Sequence, residues 1–408
     1  MIRQSLRIYR DAYRGLSPSI WLLSGVMLIN RSGTMVLPYL TLYLTQHLHY
    51  SVKEAGIVMA VYGTGALAGT FLGGWLSDRI GFYYVQFLSL LISGFFLILL
   101  QFIDGFYTMC GTVFIYTLLG DAFRPANSSA IAHYSLPENR TRAYSLNRLA
   151  INLGWSFGGG IGGYLAGIDY KLLFWADGLT CVFAALVLRF FLPPSAETTR
   201  SVKLSQDEGA AVTTSPYRDR LFLLFLVSTV LFAIVFMQLF SMATLYYKQV
   251  LHLDETQIGL LMTLNGLLIV AVEMALVYSI EKRYGTQKIK VIPYGILLVG
   301  LSFWLLNGGQ WPGLVLVSVL LVTVGEMLAM PFMQTFAVER ASAQNRGQYL
   351  ALYSMAYAVA QITAPVYGSQ VVERYGFATL WTLCLGLCVL SASVCWWLVR
   401  HLRLSRNE

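Results

Sequence analysis

Charge is scarce in this sequence of 408 residues: Asp, Glu, Lys and Arg together make up 12% of it, against about 25% in a soluble domain. A chain that is also 57% hydrophobic, with a mean hydropathy of +0.62, lacks the polar surface soluble domains need and reads as a polytopic membrane protein. Cysteine is sparse as well. The five (Cys110, Cys181, Cys384, Cys388 and Cys395) all fall inside apolar runs without metal-ligand or pairing spacing, which points to core packing and to no metal site. No Ser/His/Asp set and no phosphate-cradling glycine loop is apparent, so neither an enzyme nor an ATP-driven machine is expected, and no cofactor. A small-residue cleavage site is missing after the first apolar run, so the N-terminal stretch with Arg3, Arg7, Arg10 and Arg14 is expected to stay attached.

What the chain has is long apolar runs. Read against charged or Gly/Pro breaks, they give twelve candidate helices at 20–45, 54–77, 83–103, 106–134, 143–167, 171–192, 220–247, 256–280, 288–306, 312–338, 348–371 and 376–399. Of the 28 basic residues, Lys53, Lys171, Lys248 and Arg374 lie at odd-to-even connections and Arg31 and Arg124 inside runs; the others fall at the tails and around the even-to-odd connections. That asymmetry places both termini in the cytoplasm and accounts for the net charge of +8 without a nucleic-acid partner. The longest connection, Pro193 to Arg220, is rich in Ser, Thr, Ala and acids. It is expected to be a cytoplasmic tether (193–219) between an N-terminal six-helix bundle (1–192) and a C-terminal one (220–408).

The halves repeat one another. Leu42-Tyr43-Leu44-Thr45-Gln46-His47-Leu48-His49 returns 203 residues on as Leu245-Tyr246-Tyr247-Lys248-Gln249-Val250-Leu251-His252, and Gly56, Gly63 and Asp78-Arg79 meet Gly259, Gly266 and Glu281-Lys282 at the same offset. Pro125 and Asn139-Arg140 reappear as Pro331 and Asn345-Arg346. Two like bundles that rock about a midplane site are what a transporter needs.

Between the second and third runs lies Gly73-Gly74-Trp75-Leu76-Ser77-Asp78-Arg79-Ile80-Gly81, a charged hairpin at the membrane surface. Its Gly74-x-Leu76-x-Asp78-Arg79-x-Gly81 pattern, with the six-plus-six arrangement, resembles the major facilitator superfamily; the basic pair usual after the last glycine is replaced by Phe82 and Tyr83. The resemblance implies an all-α membrane protein with twelve transmembrane helices in two pseudo-symmetric six-helix bundles, a monomer in the inner membrane. Gly154-Trp155-Ser156-Phe157-Gly158-Gly159-Gly160 resembles the glycine-rich signature of the drug:proton antiporters, with Gly159 where proline is usual. Asp121-Ala122-Phe123-Arg124-Pro125-Ala126-Asn127 resembles a stretch of bacterial multidrug exporters. The implied function is proton-coupled efflux of lipophilic or cationic small molecules. A proton-coupled nutrient symporter and a lipid-handling or sensing protein are the rivals.

An ionisable side chain inside a bilayer is costly and so a functional candidate. Five are singled out: Arg31, Asp121, Arg124, Glu273 and Glu326. At about 1.5 Å per residue, Arg31, Asp121 and Glu326 fall near the midplane. Asp121 and Arg124 share a helix face and can pair, with Asp121 also able to serve Arg31. No basic residue falls inside the later runs near Glu326, so it is the expected principal proton carrier, with Glu273 second and Asp121 third. Tyr39, Tyr43, Phe236, Gln238 and Phe240, with Asn30 and Asn127 as polar contacts, are the expected substrate lining. Gly74, Asp78, Arg79 and Gly81, with Glu138 in the loop after the fourth run, are the expected cytoplasmic gate.

Overall fold

Helix is what a lipid-embedded backbone must adopt when every amide has to find its acceptor within its own segment. The computed structural model describes residues 15–136, 140–192, 216–284, 289–309, 311–340 and 346–407, and no strand occurs among them. The first half contains α1 (Pro18–Gly33), α2 (Val36–Leu42, running on as a π-helical turn to His47), α3 (Val52–Ile80), α4 (Phe82–Leu100), α5 (Phe106–Asp121), α6 (Phe123–Tyr134), α7 (Arg140–Ile168) and α8 (Lys171–Phe191). The second half contains α9 (Arg220–Met237), α10 (Met242–Gln249), α11 (Glu255–Tyr284), α12 (Ile292–Leu305), α13 (Pro312–Arg340) and α14 (Arg346–Asn407).

Among the described residues, ten stretches are long and apolar enough to cross a membrane. Two features separate this number from the twelve expected. α14 runs through Gly376, where φ 80° and ψ 172° leave helical geometry, so the last two candidate segments merge into one stretch of 54 residues, Gln348–His401. A φ of that sign is open to glycine and strained for other residues. α7, at 29 residues, carries Arg148, Asn147 and Asn152 in its first half and is not among the ten.

The 203-residue repeat is written into the backbone. Among the described residues the non-glycine positions with positive φ are His49 (57°) and His252 (54°), one repeat apart. In both copies the next residue closes the turn the same way: Tyr50 N–H donates to the Leu44 carbonyl at 2.9 Å, and Leu253 N–H to the Tyr247 carbonyl at 3.0 Å. Each turn opens into a capped helix. Ser51 and Glu54 bond reciprocally at the start of α3 (Ser51 N–H to Glu54 Oε2 2.9 Å, Glu54 N–H to Ser51 Oγ 3.2 Å). Asp254 and Gln257 do the same at the start of α11 (3.0 and 2.7 Å), satisfying amides a helix start leaves orphaned. The first helix of each half is also interrupted, at Thr34–Met35 and at Gln238–Ser241.

The described residues fall into two compact units. One holds the residues up to Leu37 and those from Thr64 to the end of α8; the other holds Pro38–Gly63 and everything from Pro216 onward. Glycine seams bring helices together in each. In the first unit, Gly65, Gly69 and Gly73 of α3 lie against Phe114, Thr117, Leu118 and Ala122 along and just beyond α5, and Gly94 of α4 faces Gly178 of α8. In the second, Gly295 of α12 and Gly325 of α13 face each other, each so placed that a Cβ would stand 2.7 Å from the other's carbonyl oxygen. Such approach trades side-chain volume for backbone contact, the main attraction available between helices in lipid. Ser228 and Ser391 add a buried pair of hydroxyl-to-carbonyl bonds, at 2.9 and 2.8 Å, between α9 and α14.

Candidate functional site

The interruption of the first helix is held by a carboxylate from the sixth candidate segment. α1 ends at Gly33, Thr34 N–H turns back to the Arg31 carbonyl at 3.1 Å, and helix resumes at Val36, whose N–H donates to Asp177 Oδ2 at 3.2 Å. Met35 N–H also donates to this carboxylate, and Arg31 lies within its electrostatic reach. Asp177 sits on α8, 2% exposed. Cys181, one turn on, approaches Asp177 Oδ1 at 3.8 Å and receives Asn30 Nδ2 at 3.4 Å. The arrangement is tight because Gly33 leaves room for Thr180, and because Gly154 and Gly158 of α7 lie on the break. A Cβ on Gly154 would come 2.5 Å from Arg31 Cβ, and one on Gly158 would come 3.2 Å from the Arg31 and Ser32 carbonyls. The glycine-rich stretch of α7 therefore seats the interrupted backbone of the first helix.

Asp177 is the residue sequence reasoning missed. Its signal was present: an aspartate seven positions into the apolar run Lys171–Phe191, costly in a bilayer unless it has partners. Those partners are backbone amides, which no reading of side-chain charges supplies.

Elsewhere in the first unit, Asp121, 7% exposed, pairs with Arg124 through Nε–Oδ1 at 2.7 Å. The pair stands where the fourth segment breaks at Ala122 between α5 and α6, one turn before Pro125, which has no N–H to offer the Asp121 carbonyl. Asn127 is buried, with Nδ2 bonded to Asn147 Oδ1 on α7 at 3.1 Å and its own Oδ1 without a hydrogen-bond partner among the described residues. In the gate hairpin Gly81 has φ 86° and separates α3 from α4. The Arg79 guanidinium lies 4.0 Å over the Trp75 ring. A Cβ on Gly74 would meet nothing within 4 Å among the described residues. The Asp78 side chain and Glu138 lie outside the described residues, as does most of the expected tether.

In the second unit Glu326 is half-buried on α13 and within electrostatic reach of the Tyr357 hydroxyl on α14, a neighbour that a search for basic partners does not find. Glu273 is buried on α11. Phe236, with Phe232 at 6.0 Å and Phe240 at 5.8 Å between ring centroids, forms an aromatic row along the end of α9. Gln238 is fully buried in the interruption that follows, where Nε2 donates to the Ala364 carbonyl at 2.9 Å. Tyr39 and Tyr43 are buried; Tyr43 stacks on His47 at 5.3 Å, and Tyr39 lies near Glu255, which pairs with Lys248 at 2.7 Å.

At the start of α9, Asp219 is gripped from three helices. Arg340 on α13 donates to it twice, Nε to Oδ2 at 2.6 Å and Nη2 to Oδ1 at 2.9 Å. Tyr349 on α14 donates through its hydroxyl at 3.0 Å, and Phe222 N–H at 3.1 Å, so Asp219 also caps α9. Asp219 precedes the apolar span Arg220–Gln249. Burial alone would push its carboxyl up; the bonds from Arg340, the Phe222 amide and Tyr349 outweigh that and hold it below the usual carboxylate range. A carboxyl lowered in the folded state contributes stability that is fully present above its ordinary value, about 4. That contribution is lost as pH falls through the lowered one. The thermal midpoint in detergent should therefore hold from pH 7 to about 5 and fall below about 4. Asp219→Asn should start from a lower midpoint and lose part of that acid limb, read by fluorescence melting across pH. An unchanged acid limb would exclude the Asp219 contribution.

Comparison with known proteins accords with this architecture. The family model of the Major Facilitator Superfamily matches residues 20–365 and 256–408. The chain is 27% identical over 359 residues to the MFS-type transporter YttB of Bacillus subtilis (strain 168), covering 87% of this chain and 88% of the relative. It is 26% identical over 408 aligned positions to a Na(+), Li(+), K(+)/H(+) antiporter of Planococcus maritimus, covering 92% and 94%. It is 23% identical to the multidrug resistance protein MdtG of Escherichia coli O9:H4 (strain HS), covering 94% of each. Among solved structures, a POT family transporter in complex with 5-aminolevulinic acid superposes with a TM-score of 0.79 at 15% identity, covering 95% of this chain and 97% of that one. At that identity the likeness concerns the fold alone. With the family model spanning both repeats and the fold shared end to end, the chain belongs to the Major Facilitator Superfamily, a family of multi-pass membrane transporters rather than enzymes.

Proposed function

We propose that this transporter is a proton-coupled exporter of lipophilic or cationic small molecules, working by alternating access in the bacterial inner membrane as a monomer. The observation that carries the reading is the alignment, over more than nine-tenths of this chain, with relatives named as a cation/proton antiporter and a multidrug resistance protein. In this reading α7 crosses the membrane and α14 crosses twice, turning at Gly376, for twelve crossings with both termini cytoplasmic. The crossings group as 1–192 and 220–408, joined by 193–219.

The proton is carried chiefly by Glu326, a half-buried carboxyl on an apolar helix with a tyrosine hydroxyl within electrostatic reach. Glu273 and Asp121 are the next candidates, and Asp121 with Arg124 and Arg31 forms the charge cluster of the first half. Phe236, Phe240, Tyr39, Tyr43, Gln238, Asn30 and Asn127 line the substrate path as the halves move, an aromatic and weakly polar path suited to amphipathic cations. Gly74, Asp78, Arg79, Gly81 and Glu138 form the cytoplasmic gate.

Everted membrane vesicles with an acidified lumen should accumulate ethidium, a lipophilic cation, as protons leave. Glu326→Gln should reduce the pH-driven component by about tenfold, or 1.4 kcal/mol in coupling. Full pH-driven accumulation by Glu326→Gln would remove Glu326 from the carrier role. No ethidium accumulation, together with nutrient uptake by intact cells, would replace export with symport, and movement of a fluorescent lipid between leaflets without solute flux would replace both.

A further inference from the structure

Three tyrosines stand in a line along α14. Tyr349, Tyr353 and Tyr357 are spaced by four residues, which puts them on one helix face with a rise of about 6 Å per step. One end of the line is polar and near the start of the α9 span: Tyr349 Oη donates to Asp219 Oδ2 at 3.0 Å, and Asp219 is held by Arg340. The other end is inside the membrane, where Tyr353 Oη donates to Tyr357 Oη at 3.3 Å and Tyr357 lies within electrostatic reach of Glu326.

Aromatic rings flank its first two members. The Tyr349 ring packs on Phe222 at 4.4 Å, the Tyr353 ring lies parallel to Phe225 at 6.5 Å, and Phe225 meets Phe336 at 4.6 Å. Among the described residues, Asp219 before α9, and Arg340 and Glu326 on α13, are the charged groups on the packed elements that face the three hydroxyls. Phenylalanine would pack against these rings equally well. Three hydroxyls there are costly to bury unless each has a use for its hydrogen bonds, and each carries the donor and acceptor that a proton relay requires.

We propose that Tyr349, Tyr353 and Tyr357 form a proton path between Glu326 and the Asp219–Arg340 pair, so that the proton bound in the membrane is exchanged along α14. The path rests on the proton-carrying role of Glu326 given above. With the Tyr353 hydroxyl turned from Tyr357 toward Tyr349, ionisation of Glu326 puts its proton on the Tyr357 oxygen as Tyr357 releases its own to Tyr353; the same exchange continues through Tyr349 to Asp219, which passes the proton to solvent, and the hydroxyls then turn back. Each hydroxyl ends neutral, one proton has moved, and no electron is transferred. Tyr349 and Tyr353 stand one helical turn apart, and the path takes one bridging water at that step.

The test is a pH jump on the purified full-length protein followed by time-resolved infrared spectroscopy, with the Glu326 carboxyl band identified by its loss in Glu326→Gln. Tyr353→Phe and Tyr357→Phe keep their rings, and a melting scan checks that each is folded. In both, the band should change by the same final amplitude as in the wild type but at least tenfold more slowly. Tyr375→Phe, an exposed tyrosine of the same helix, should respond at the wild-type rate. A purely structural ladder would alter stability and leave the rate alone. Wild-type rates in both Tyr353→Phe and Tyr357→Phe would overturn the path while leaving Glu326 as the carrier. Absence of any titrating Glu326 band in the wild type would overturn the carrier reading and the path with it.

Discussion

Asp177→Ala should lower the thermal midpoint of the purified protein further than any other single carboxylate change described above. The substitution removes the acceptor for the Val36 and Met35 amides and a negative neighbour of Arg31 at once, in a place that is 2% exposed. Leaving buried donors unmet costs about 1–3 kcal/mol each. Arg31 loses a negative neighbour at the same time. These terms share one site and do not add, so an effect of about 3 kcal/mol is expected. Asp177→Asn separates them, because its amide oxygen still accepts from Val36 while the charge is gone. The expected order of midpoints is wild type, then Asn, then Ala, measured by intrinsic fluorescence melting in one detergent at pH 7. Equal midpoints for all three would mean that the break in the first helix holds without Asp177.

That site also marks where sequence reasoning stops. Membrane class follows from scarce charge, and the two-fold repeat follows from Tyr43 to His49 matching Tyr246 to His252. The repeat proved to be backbone geometry as well as residue identity, since His49 and His252 share a positive φ and each precedes a reciprocally capped helix. Local signals of this kind are legible because they act over a few residues. The Asp177 contact joins residues 141 positions apart through a backbone amide, and nothing in the composition of either segment encodes such a pairing. Likewise, Tyr357 reaches Glu326 from another helix, although the four-residue spacing of the tyrosines was open to view. Interruption of the first helix between Gly33 and Val36 has no proline at its point of departure, so apolar continuity reads there as a single helix from 20 to 45.

Gly69→Leu should prevent recovery of monodisperse folded protein, whereas Gly74→Leu, five residues on in the same helix, should not. Both positions lie in α3, so the change in helix propensity, about 1 kcal/mol in favour of leucine, is common to the pair. What differs is the space each side chain enters. At Gly69 the new Cβ meets the Leu118 carbonyl oxygen, with the Leu118 carbonyl carbon and Cα at 2.9 and 3.0 Å; at Gly74 it meets nothing within 4 Å among the described residues. Backbone atoms cannot rotate out of the way as a side-chain tip can, so α3 and α5 must separate along the seam that Gly65 and Gly73 also line. Overpacking of this kind costs about 3 kcal/mol or more when no rotamer relieves it. Separation also forfeits the backbone contact that holds the helices together in lipid. Size-exclusion chromatography of fluorescently tagged variants reads the outcome directly. A sharp monodisperse peak for Gly69→Leu would show that the seam is loose enough to open. A Gly74→Leu variant that folds but fails to accumulate ethidium would instead place the requirement for that glycine in the transport cycle, at a surface that must close against something as the gate moves.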